Sequence, residues 1–426
     1  MLSFAAQNVL LGASLLGVIG GILGAFALLR RQSLIGDALA HTALPGVCLG
    51  YLLTGSKTPA PLLLGAMVAG VLGSLFILGV VRSSRVSEDS AIGIVLSVFF
   101  GFGIVLLTHI QRLPFGNQSG LDKFLFGQAA TLLPRDIAIM AVLGGGALLC
   151  IFLLYKEFKV LTFDREYAAS LGFHVRGLEI LLTLLIVVVV VIGLQTVGVV
   201  LIIATLITPA AAARQWTDRF GGVLLLSGAI GGASGSFGAL VSASVDRVPT
   251  GPAIVLASSA VLVASLLFAP GRGLLWTQIA HRRVTRRIQR ENLLKDLYRW
   301  GERHGNDWSQ LVSWPDLMGE RGATGGAMSR TRQQAKQRGW IDSSAGGARL
   351  TGAGLRVARS IVRRHRLWEL YLTQRLELPD DHVHRDAEDM EHVLDDALVE
   401  RIDQLLGHPE TDPHGQMIPR PAGEAA

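Results

Sequence analysis

The stretch LEILLTLLIVVVVVIGLQTVGVVLIIATLIT (178–208) decides the fold class of this chain. It contains one charged side chain, Glu179, and consists mainly of branched aliphatic residues. A helix of about 20 residues crosses a hydrocarbon core of roughly 30 Å, so the stretch is too long for one untilted crossing. Gly193, Gln195 and Gly198 interrupt its second half. We therefore predict two short membrane crossings.

Seven more apolar runs surround this stretch, and most are long enough for a membrane helix. They cover 8–29, 34–53, 61–81, 90–110, 134–155, 222–243 and 252–269. No Lys or Arg precedes Arg30, so the first run lacks the basic region of a signal peptide and is predicted to be a retained helix. The sequence thus predicts eight or nine transmembrane helices that pack through small residues.

Charge is distributed unevenly along the 426 residues. Residues 1–270 hold 15 Lys/Arg and 11 Asp/Glu, whereas residues 271–426 hold 24 and 22. The first part has the composition of a membrane protein and the second that of a soluble domain. The second part divides again, into a net charge of +13 over 271–366 and of −11 over 367–426. The whole chain has two cysteines, Cys48 and Cys150, and both lie in apolar runs of the first part. This excludes a disulfide framework.

Basic residues in the loops orient the bundle. With the N-terminus outside, the inside loops hold ten basic residues and the outside loops hold four. The inside loops are then 30–31, 82–89, 156–177 and 213–220, and the outside loops are 54–60, 111–133 and 244–251. Nine crossings place residue 271 in the cytoplasm, next to the basic run HRRVTRR (281–287).

Two ionisable residues lie within the second apolar run, in SLIGDALAHTALPGV (33–47). Asp37 and His41 are four residues apart, so a helix presents both on one face. A carboxylate and an imidazole together suit Mn(II), Zn(II) or Fe(II), and ionisable residues within a membrane usually serve a function. We interpret the pair as part of an ion path; the alternative is a pair that only orders helix packing. His109 and His174 are interpreted as surface residues.

The inner loop FDREYAASLGF (163–173) has the pattern of a short amphipathic helix that ends at Gly172. An exposed helix on the cytoplasmic side of a transporter is suited to transmit force from a motor subunit.

Six blocks, in order along residues 1–270, resemble the zinc/manganese/iron ABC permease family. They are SLIGDALAHTALPGV (33–47), EDSAIGIVLSVFFGFGIVLL (88–107), LDKFLFGQ (121–128), FDREYAASLG (163–172), VGVVLIIATLITPAAAAR (197–214) and DRVPTGPAIVL (246–256). The resemblance implies a lipid-embedded permease of the bacterial cell (inner) membrane that pairs with a second copy or a sister permease. It also implies a cytoplasmic ATPase subunit and an extracytoplasmic metal-binding protein as partners.

The resemblance further implies roles for individual residues. Asp37 and His41 match the family's intramembrane metal-coordinating pair, and the segment 163–172 matches the part that docks on the ATPase. The docking residues would be Asp164, Glu166, Ala169 and Gly172. The sequence contains no Walker A pattern, G-x-x-x-x-G-K-[ST]. The chain is therefore predicted to be a transport subunit and not an enzyme, with ATP hydrolysis on a separate chain and no bound organic cofactor.

Residues 286–362 have the outline of a winged helix, in which a basic third helix precedes a strand-turn-strand. Helices are predicted at 286–303, about 309–319 and about 327–338, then a hairpin-like loop at 339–347 and a long helix from about 352. The third helix carries basic residues suited to contact nucleic acid, Arg330, Arg332 and Lys336. Three interpretations stay open: DNA binding, a protein-interaction module, or attachment to the anionic inner leaflet by net charge. DNA is not the favoured partner.

Histidine and carboxylate residues recur at helical spacing near the C-terminus. They are His365, Glu369, His384, Glu388, Glu391 and His392. Imidazoles and carboxylates together suit Mn, Fe or Zn. The alternative is a solvated acidic face, which the net charge of −11 would equally explain.

Residues 363–419 resemble the dimerisation and metal-binding domain of the diphtheria-toxin-repressor/manganese-regulator family along nearly their whole length. The stretch reads RRHRLWELYLTQRLELPDDHVHRDAEDMEHVLDDALVERIDQLLGHPETDPHGQMIP. The family's ligand positions fall on the same six residues. One of them holds Cys in iron-type and Glu in manganese-type regulators, and here it is Glu388. Because thiolate is the softer ligand, Glu at this place favours Mn(II).

The sequence departs from this second family in one respect. The family's first winged-helix helix supplies further ligands, an acidic pair or a Met, and the chain has Asn292 and Lys295 there. A protonated Lys does not bind a cation. Two interpretations stay open: one of the family's two metal sites is incomplete, or this helix no longer closes on the metal. Neither fits the family's metal-triggered repression.

The sequence thus predicts an all-α polytopic membrane protein with a C-terminal cytoplasmic winged-helix plus helical metal-binding and dimerisation domain. The predicted parts are a permease domain (1–270), a basic linker (271–285), a winged-helix-like domain (286–362), the repressor-type domain (363–419) and a tail (420–426). The predicted function is the permease subunit of an ATP-driven importer of a divalent transition metal, Mn(II) before Fe(II) or Zn(II).

Three roles for the C-terminal domain stay open. It is a cytosolic metal sensor that inhibits transport in metal-replete cells, a membrane-tethered transcription regulator, or a dimerisation module with vestigial ligands. For the whole chain, the alternative is a membrane-anchored metal-responsive transcription regulator that no longer transports. The intact Asp37/His41 pair and docking segment argue against that alternative, because an anchor needs neither.

Overall fold

The computed structural model describes residues 3–55, 58–112, 132–196, 198–245, 247–319, 325–376, 387–388 and 390–420. The block 121–128, the candidate ligand His384 and residues 421–426 lie outside the described residues. The chain divides into two compact units, Met1–Thr277 and Gln278–Ala426. We call them the helical unit and the C-terminal unit.

The described part of the helical unit consists of helices. Their bounds are α1 Phe4–Leu29, α2 Ile35–Thr54, α3 Pro59–Ser83, α4 Glu88–Arg112, α5 Pro134–Leu153, α6 Tyr155–Phe163, α7 Arg165–Ser170, α8 Val175–Thr196, α9 Val199–Trp216, α10 Phe220–Ser244 and α11 Thr250–Phe268. By length and composition, seven of the described helices are able to cross a membrane: α1, α3, α4, α5, α8, α10 and α11. The helix α2, which carries Asp37 and His41, and the 18-residue α9 are not among these seven. The unit is a multi-pass helical bundle.

The longest apolar run forms two helices, as its interruptions predict. Helix α8 ends at Thr196 and α9 begins at Val199. Between them Gly198 has a φ of 86°, a conformation that glycine adopts without steric cost. Gly193 lies inside α8 instead, where an added Cβ would come within 2.1 Å of the Ile202 side chain. Gly198 therefore ends the helix, whereas Gly193 allows close packing.

Glycines allow α1 and α10 to pack backbone against backbone. A Cβ on Gly17 would lie 2.1 Å from the carbonyl oxygen of Gly231, and a Cβ on Gly231 would lie 2.0 Å from that of Gly17. One turn along, a Cβ on Gly21 would lie 2.2 Å from the carbonyl oxygen of Ser227. Small residues at this spacing are typical of helices that approach closely in membranes.

The substitution Gly17→Ala is expected to disrupt the pairing of α1 with α10. The new methyl group meets backbone atoms that cannot rotate away, so the cost should be at least about 1–3 kcal/mol, the usual range for overpacking. The apparent unfolding temperature of the full chain in detergent should fall. The matched control is Gly145→Ala on α5, because nothing lies within 4 Å of a Cβ there. Equal unfolding temperatures for the two variants would contradict this packing.

Helix α2 is held between α3 and α4 by similar close contacts. A Cβ on Gly46 would lie 2.2 Å from the carbonyl oxygen of Gly65 on α3. On the α4 side, a Cβ on Gly103 would lie 2.9 Å from Cδ of Pro45. Helix α2 ends at Gly55, whose φ of 62° is typical of a glycine that terminates a helix. These contacts fix the rotation of α2 and therefore the direction of its polar face.

A winged-helix arrangement and a helical end segment form the C-terminal region. The bounds are α12 Leu274–Arg303, β1 Val312–Ser313, α13 Trp314–Gly319, α14 Gly325–Gln337, β2 Ile341–Ser343, β3 Gly347–Leu350, α15 Gly352–Leu376 and α16 Asp396–Leu405. The three strands form an antiparallel sheet in the order β1-β3-β2. The predicted strand-turn-strand after the basic helix is therefore confirmed by β2 and β3.

Two elements differ from the sequence prediction. The helix predicted from residue 286 begins at Leu274, so the basic segment 271–285 is mostly helical; no Gly or Pro occurs between Leu274 and Trp300 to stop it. The helix predicted at about 309–319 is a strand followed by the short α13. Its first part is extended because Val312 pairs with Ala348 in the sheet, a long-range contact that local spacing does not reveal.

Helix α15 belongs to two hydrophobic cores of the C-terminal unit. Its first half contributes Ala358 and Val362 to the winged-helix core, and its second half contributes Leu367 and Leu370 to the core of the end segment. Between the two halves, the buried Arg366 forms two hydrogen bonds of 2.9 and 2.8 Å to the Glu302 carboxylate at the end of α12. It donates a further hydrogen bond of 2.6 Å to the carbonyl of Met417. Arg366 thus ties both cores together.

Candidate metal sites

Asp37 and His41 lie together on one face of α2, as their spacing predicts. His41 Nε2 is 3.3 Å from Asp37 Oδ1. Phe100 of α4 packs edge-on against the imidazole, with 4.6 Å between ring centroids. The other ring nitrogen, His41 Nδ1, is buried and has no hydrogen-bond partner in the part of the chain that the structure describes. The pair therefore offers one oxygen and one nitrogen ligand to a cation.

Two ligands are only part of a coordination sphere, since Zn(II) takes about four and Mn(II) about six. Over the described residues, no group of three or more His, Cys, Asp or Glu side chains is arranged to hold a metal ion. A cation at Asp37 and His41 would need ligands in addition to these two side chains.

The carboxylate of Glu179, at the beginning of α8, joins three arginines of the helical unit. The Glu179 side chain is 5% exposed and lies 3.0 Å from Arg82 at the end of α3. It is also 3.6 Å from Arg30, which directly follows α1, and 3.4 Å from Arg165 of α7. Gln32, in the turn that leads into α2, donates a hydrogen bond to Glu88 of α4. One buried carboxylate thus connects the beginnings or ends of four helices.

The predicted docking residues surround the short helix α7. Asp164 caps α7, because its side chain accepts a 2.8 Å hydrogen bond from the backbone N–H of Tyr167. Asp164, Glu166, Ala169 and Gly172 are all exposed. Gly172 has a φ of 82°, which fits its predicted place after the end of the helix.

In the C-terminal unit, His365 and Glu369 lie side by side on α15, as predicted. His365 Nε2 is 3.1 Å from Glu369 Oε1. The other ring nitrogen, Nδ1, is 2.5 Å from Glu391 Oε2. All three side chains are buried. Glu369 and Glu391 thus each approach a different nitrogen of the same imidazole.

Lys295 enters the same cluster from α12. Its side chain is 0% exposed, and Nζ donates a 2.6 Å hydrogen bond to Glu391 Oε1. Nζ is also 3.7 Å from Glu388, whose side chain is 54% exposed. An ammonium group therefore lies between two of the predicted metal ligands.

His392 lies beside this group and is engaged on both sides of its ring. Its Nδ1 is 2.7 Å from Glu291 Oε2, and its Nε2 is 3.1 Å from Asn292 Oδ1. Glu391 Oε1 is a further 3.4 Å from Nε2. The described members of the predicted ligand set are thus brought together but are paired with one another or with α12.

Burial and ion pairing act in opposite directions on the pKa values of this cluster. Burial raises the pKa of Glu391, but His365 and Lys295 lower it by more, so it lies below its ordinary value. Burial lowers the pKa of His365, but Glu369 and Glu391 raise it by more, so it lies above its ordinary value. Burial lowers the pKa of Lys295, and Glu391 partly offsets this effect. The pKa of Glu391 is thus shifted as expected for a carboxylate beside cations, and the pKa of His365 as expected for an imidazole beside carboxylates.

The candidate nucleic-acid residues lie on α14, where two of them have partners within the domain. The Arg332 guanidinium lies 5.0 Å from the ring centroid of Trp314, and Lys336 donates a 3.3 Å hydrogen bond to the carbonyl of Ser343. Arg330 is exposed. The Arg332 and Lys336 side chains therefore contribute to the packing of the winged helix.

A model of the ABC 3 transport family matches residues 3–269, which is more than half of the chain. The chain belongs to the ABC 3 transport family. A second model, the metal binding and dimerisation domain of iron dependent repressors, matches residues 351–420. This ABC 3 permease therefore carries an iron-dependent-repressor domain at its C-terminus, as the two sequence resemblances predict.

Relatives of this permease are metal transport proteins. The manganese transport system membrane protein MntC of Bacillus subtilis (strain 168) is 43% identical over 401 residues, which cover 94% of this chain and 91% of that protein. The zinc transport system membrane protein TroC of Treponema pallidum (strain Nichols) is 46% identical over 282 residues, 66% of this chain and 95% of that protein. The solved structure of PsaBC from Streptococcus pneumoniae in complex with Fab is 32% identical, with a TM-score of 0.57. The match covers 65% of this chain and 96% of the chain in the solved structure.

Some features of the permease were not recognised in its sequence. The role of Glu179 could have been suspected from the sequence, because it is the one charged residue in the apolar run 178–208. Phe163, Tyr167 and Leu171 are exposed and recur every four residues through the docking segment, so this segment presents an apolar strip beside its acidic residues. Glu291 contacts His392, although nothing in its local spacing indicates a partner a hundred residues away.

Proposed function

We propose that this chain is the permease subunit of an ATP-driven importer of a divalent transition metal, with Mn(II) favoured over Fe(II) or Zn(II) as the substrate. The observation that carries the proposal is the Asp37–His41 pair on a tightly packed helix of a permease bundle. One carboxylate and one imidazole suit a borderline divalent cation. Manganese is favoured because a relative that is 43% identical and covers 94% of this chain is a manganese transport system membrane protein.

In this proposal α2 and α9 also cross the membrane, which gives nine crossings with the N-terminus outside. The C-terminal unit is then cytoplasmic. The Glu179 cluster supports this topology, because its arginines belong to three loops that basic residues assign to the inside, 30–31, 82–89 and 156–177. A shared carboxylate requires these loops to lie at one end of the bundle.

The proposed mechanism is alternating access driven by a separate ATPase. The ATPase docks on α7, where Phe163, Tyr167 and Leu171 provide apolar contacts and Asp164 and Glu166 provide charge. Movement of α7 passes through Arg165 to Glu179, and from Glu179 to Arg30 at the turn that leads into α2. The ion held by Asp37 and His41 of each permease copy, or of this chain and a sister permease, then faces one side or the other.

Uptake of radioactive Mn(II) tests the proposal, in cells that carry this chain with its ATPase and its extracytoplasmic metal-binding protein. Uptake should require this chain, and unlabelled Mn(II) should compete better than Fe(II) or Zn(II). A complete complex that moves none of the three metals would contradict the proposal and favour a membrane-anchored regulator.

For the C-terminal unit we propose a sensor that inhibits transport when the cell is replete with metal. Ligand-type residues fused to a permease are placed where the transported metal emerges, and regulation requires only different metal affinities in two transport states. The two alternatives have less support. DNA binding would use α14, where Arg332 and Lys336 already have partners, and a purely structural module would not need a buried cluster of this composition.

Truncation after Ala280 is expected to separate transport from its regulation. The initial rate of Mn(II) uptake should stay within about twofold of the intact chain, because the helical unit is retained, whereas inhibition by preloaded cellular manganese should disappear. Typical couplings of about 1–3 kcal/mol correspond to roughly 5- to 150-fold, so the lost inhibition should be measurable. Inhibition of the same size in both chains would rule out a sensing role.

A further inference from the structure

Lys295 introduces a positive charge into a group of residues that the repressor family uses to bind metal. Two carboxylates, Glu391 and Glu388, lie within 3.7 Å of its ammonium group, and His365 and Glu369 extend the cluster on the far side of Glu391. The Lys295 and Glu391 side chains are each 0% exposed. This is the composition expected around a buried cation.

The cluster in this form does not fit a bound metal ion. A divalent ion on Glu391 would share that carboxylate with an ammonium ion, and two cations at such a distance repel strongly where water is excluded. Each nitrogen of His365 lies close to a different carboxylate, and His392 contacts Glu291 and Asn292. A metal ion would therefore have to displace Lys295 before it could use Glu391.

We propose that the Lys295 ammonium is a built-in substitute for the metal ion. It holds α12 against Glu391 and Glu388 without metal, and it competes with metal for these two carboxylates. The chain thus carries one of its regulatory cations as a side chain. At this position the Lys295 ammonium already supplies the positive charge that a repressor of this type acquires when it binds a metal ion.

An approach for a competing ion exists from the side of Glu388. Glu369 and Glu388 line a cavity of about 810 Å³, together with Asp296, Arg299 and His414. The exposed Glu388 is thus the ligand that a hydrated cation would reach first, and Glu391 would be the last. Competition of this kind lowers metal affinity, so the sensor would respond only to a high concentration of cellular metal. This last step rests on the proposed sensing function; the substitution of metal by Lys295 does not.

The proposal is tested on the purified full chain by Mn(II) binding and by thermal unfolding with chelator or with Mn(II). For the unaltered chain, chelator should not change the unfolding of the C-terminal unit. In Lys295→Leu the buried carboxylates lose their cation and gain no new ligand, so unfolding should occur at a lower temperature in chelator and recover with Mn(II). Mn(II) affinity should rise roughly ten- to a hundredfold, the range by which groups around metal ligands usually shift it.

Two further variants make the test decisive. Lys295→Glu restores an acidic ligand, so its stability should depend on Mn(II) more strongly than that of Lys295→Leu. Arg401→Leu removes an exposed cation on α16 of the same unit and should behave like the unaltered chain. The proposal is overturned if Lys295→Leu and the unaltered chain bind Mn(II) equally, or if Lys295→Leu and Lys295→Glu stay unfolded at saturating Mn(II). Since no uptake is measured, failure of the transport proposal would leave these results unchanged.

Discussion

Replacement of His41 with alanine is expected to lower Mn(II) uptake at least about 100-fold, the upper end of the range for groups that merely support metal ligands. His41 supplies the nitrogen ligand of the pair on α2, and Asp37 alone would bind a divalent ion weakly. The fold should persist, because the imidazole is partly exposed and packs edge-on against the ring of Phe100. The measurement is the initial rate of radioactive Mn(II) uptake by the complete transporter.

A histidine outside the pair provides the control for this variant. His109, in the last turn of α4, is exposed, so His109→Ala should transport Mn(II) at the unaltered rate. ATP hydrolysis by the complex should continue in His41→Ala but lose its stimulation by Mn(II). Uptake by His41→Ala at a rate equal to that of His109→Ala would show that the pair only orders helix packing.

Replacement of Glu179 with glutamine is expected to uncouple ATP hydrolysis from transport. Glutamine keeps the size of the side chain but removes the charge that three arginines share, so Arg165 of α7 loses its attachment to α8 and to the turn before α2. Uptake should fall roughly 5- to 150-fold, which corresponds to a coupling of about 1–3 kcal/mol. Mn(II) binding to the full chain should remain, because Asp37 and His41 are unchanged.

The readout that separates coupling from folding is the ratio of ATP hydrolysed to Mn(II) transported. It should rise in Glu179→Gln and stay unchanged in Asp89→Asn, an exposed carboxylate in the first turn of α4. A parallel loss of ATP hydrolysis and uptake would instead indicate that the complex no longer assembles. An unchanged ratio with full uptake would contradict a role for Glu179 in coupling.

The sequence predicts the membrane helices well because hydrophobic length is a local property. The break at Gly198 follows from a single residue whose backbone preference differs from that of its neighbours. The strand β1 could not be predicted in the same way. Val312 is extended only because β3 returns beside it, and this pairing spans 36 residues in the register Val312 to Ala348.

The candidate sites also contain some contacts between neighbours in sequence, which spacing predicts, and others between distant segments, which it does not. Asp37 and His41, like His365 and Glu369, are neighbours on one helix, so their spacing suffices to predict the contact. The contacts of Lys295 with Glu391 and of Glu179 with Arg30 and Arg82 join distant segments, and no local pattern encodes them. The sequence shows that Lys295 cannot be a ligand, but only the fold shows that its ammonium group lies against the carboxylates.

Helix α15 has a mechanical consequence for the C-terminal unit. Its 25 residues form one rod, about 37 Å long at 1.5 Å per residue, and each half is embedded in a different core. Arg366 clamps the rod near its middle and acts as a fulcrum. A tilt of about 10° around this fulcrum would displace either end by roughly 3 Å. A shift of α15 that a cation produces at His365 and Glu369 would therefore also move the first half of the helix, which packs in the winged-helix core.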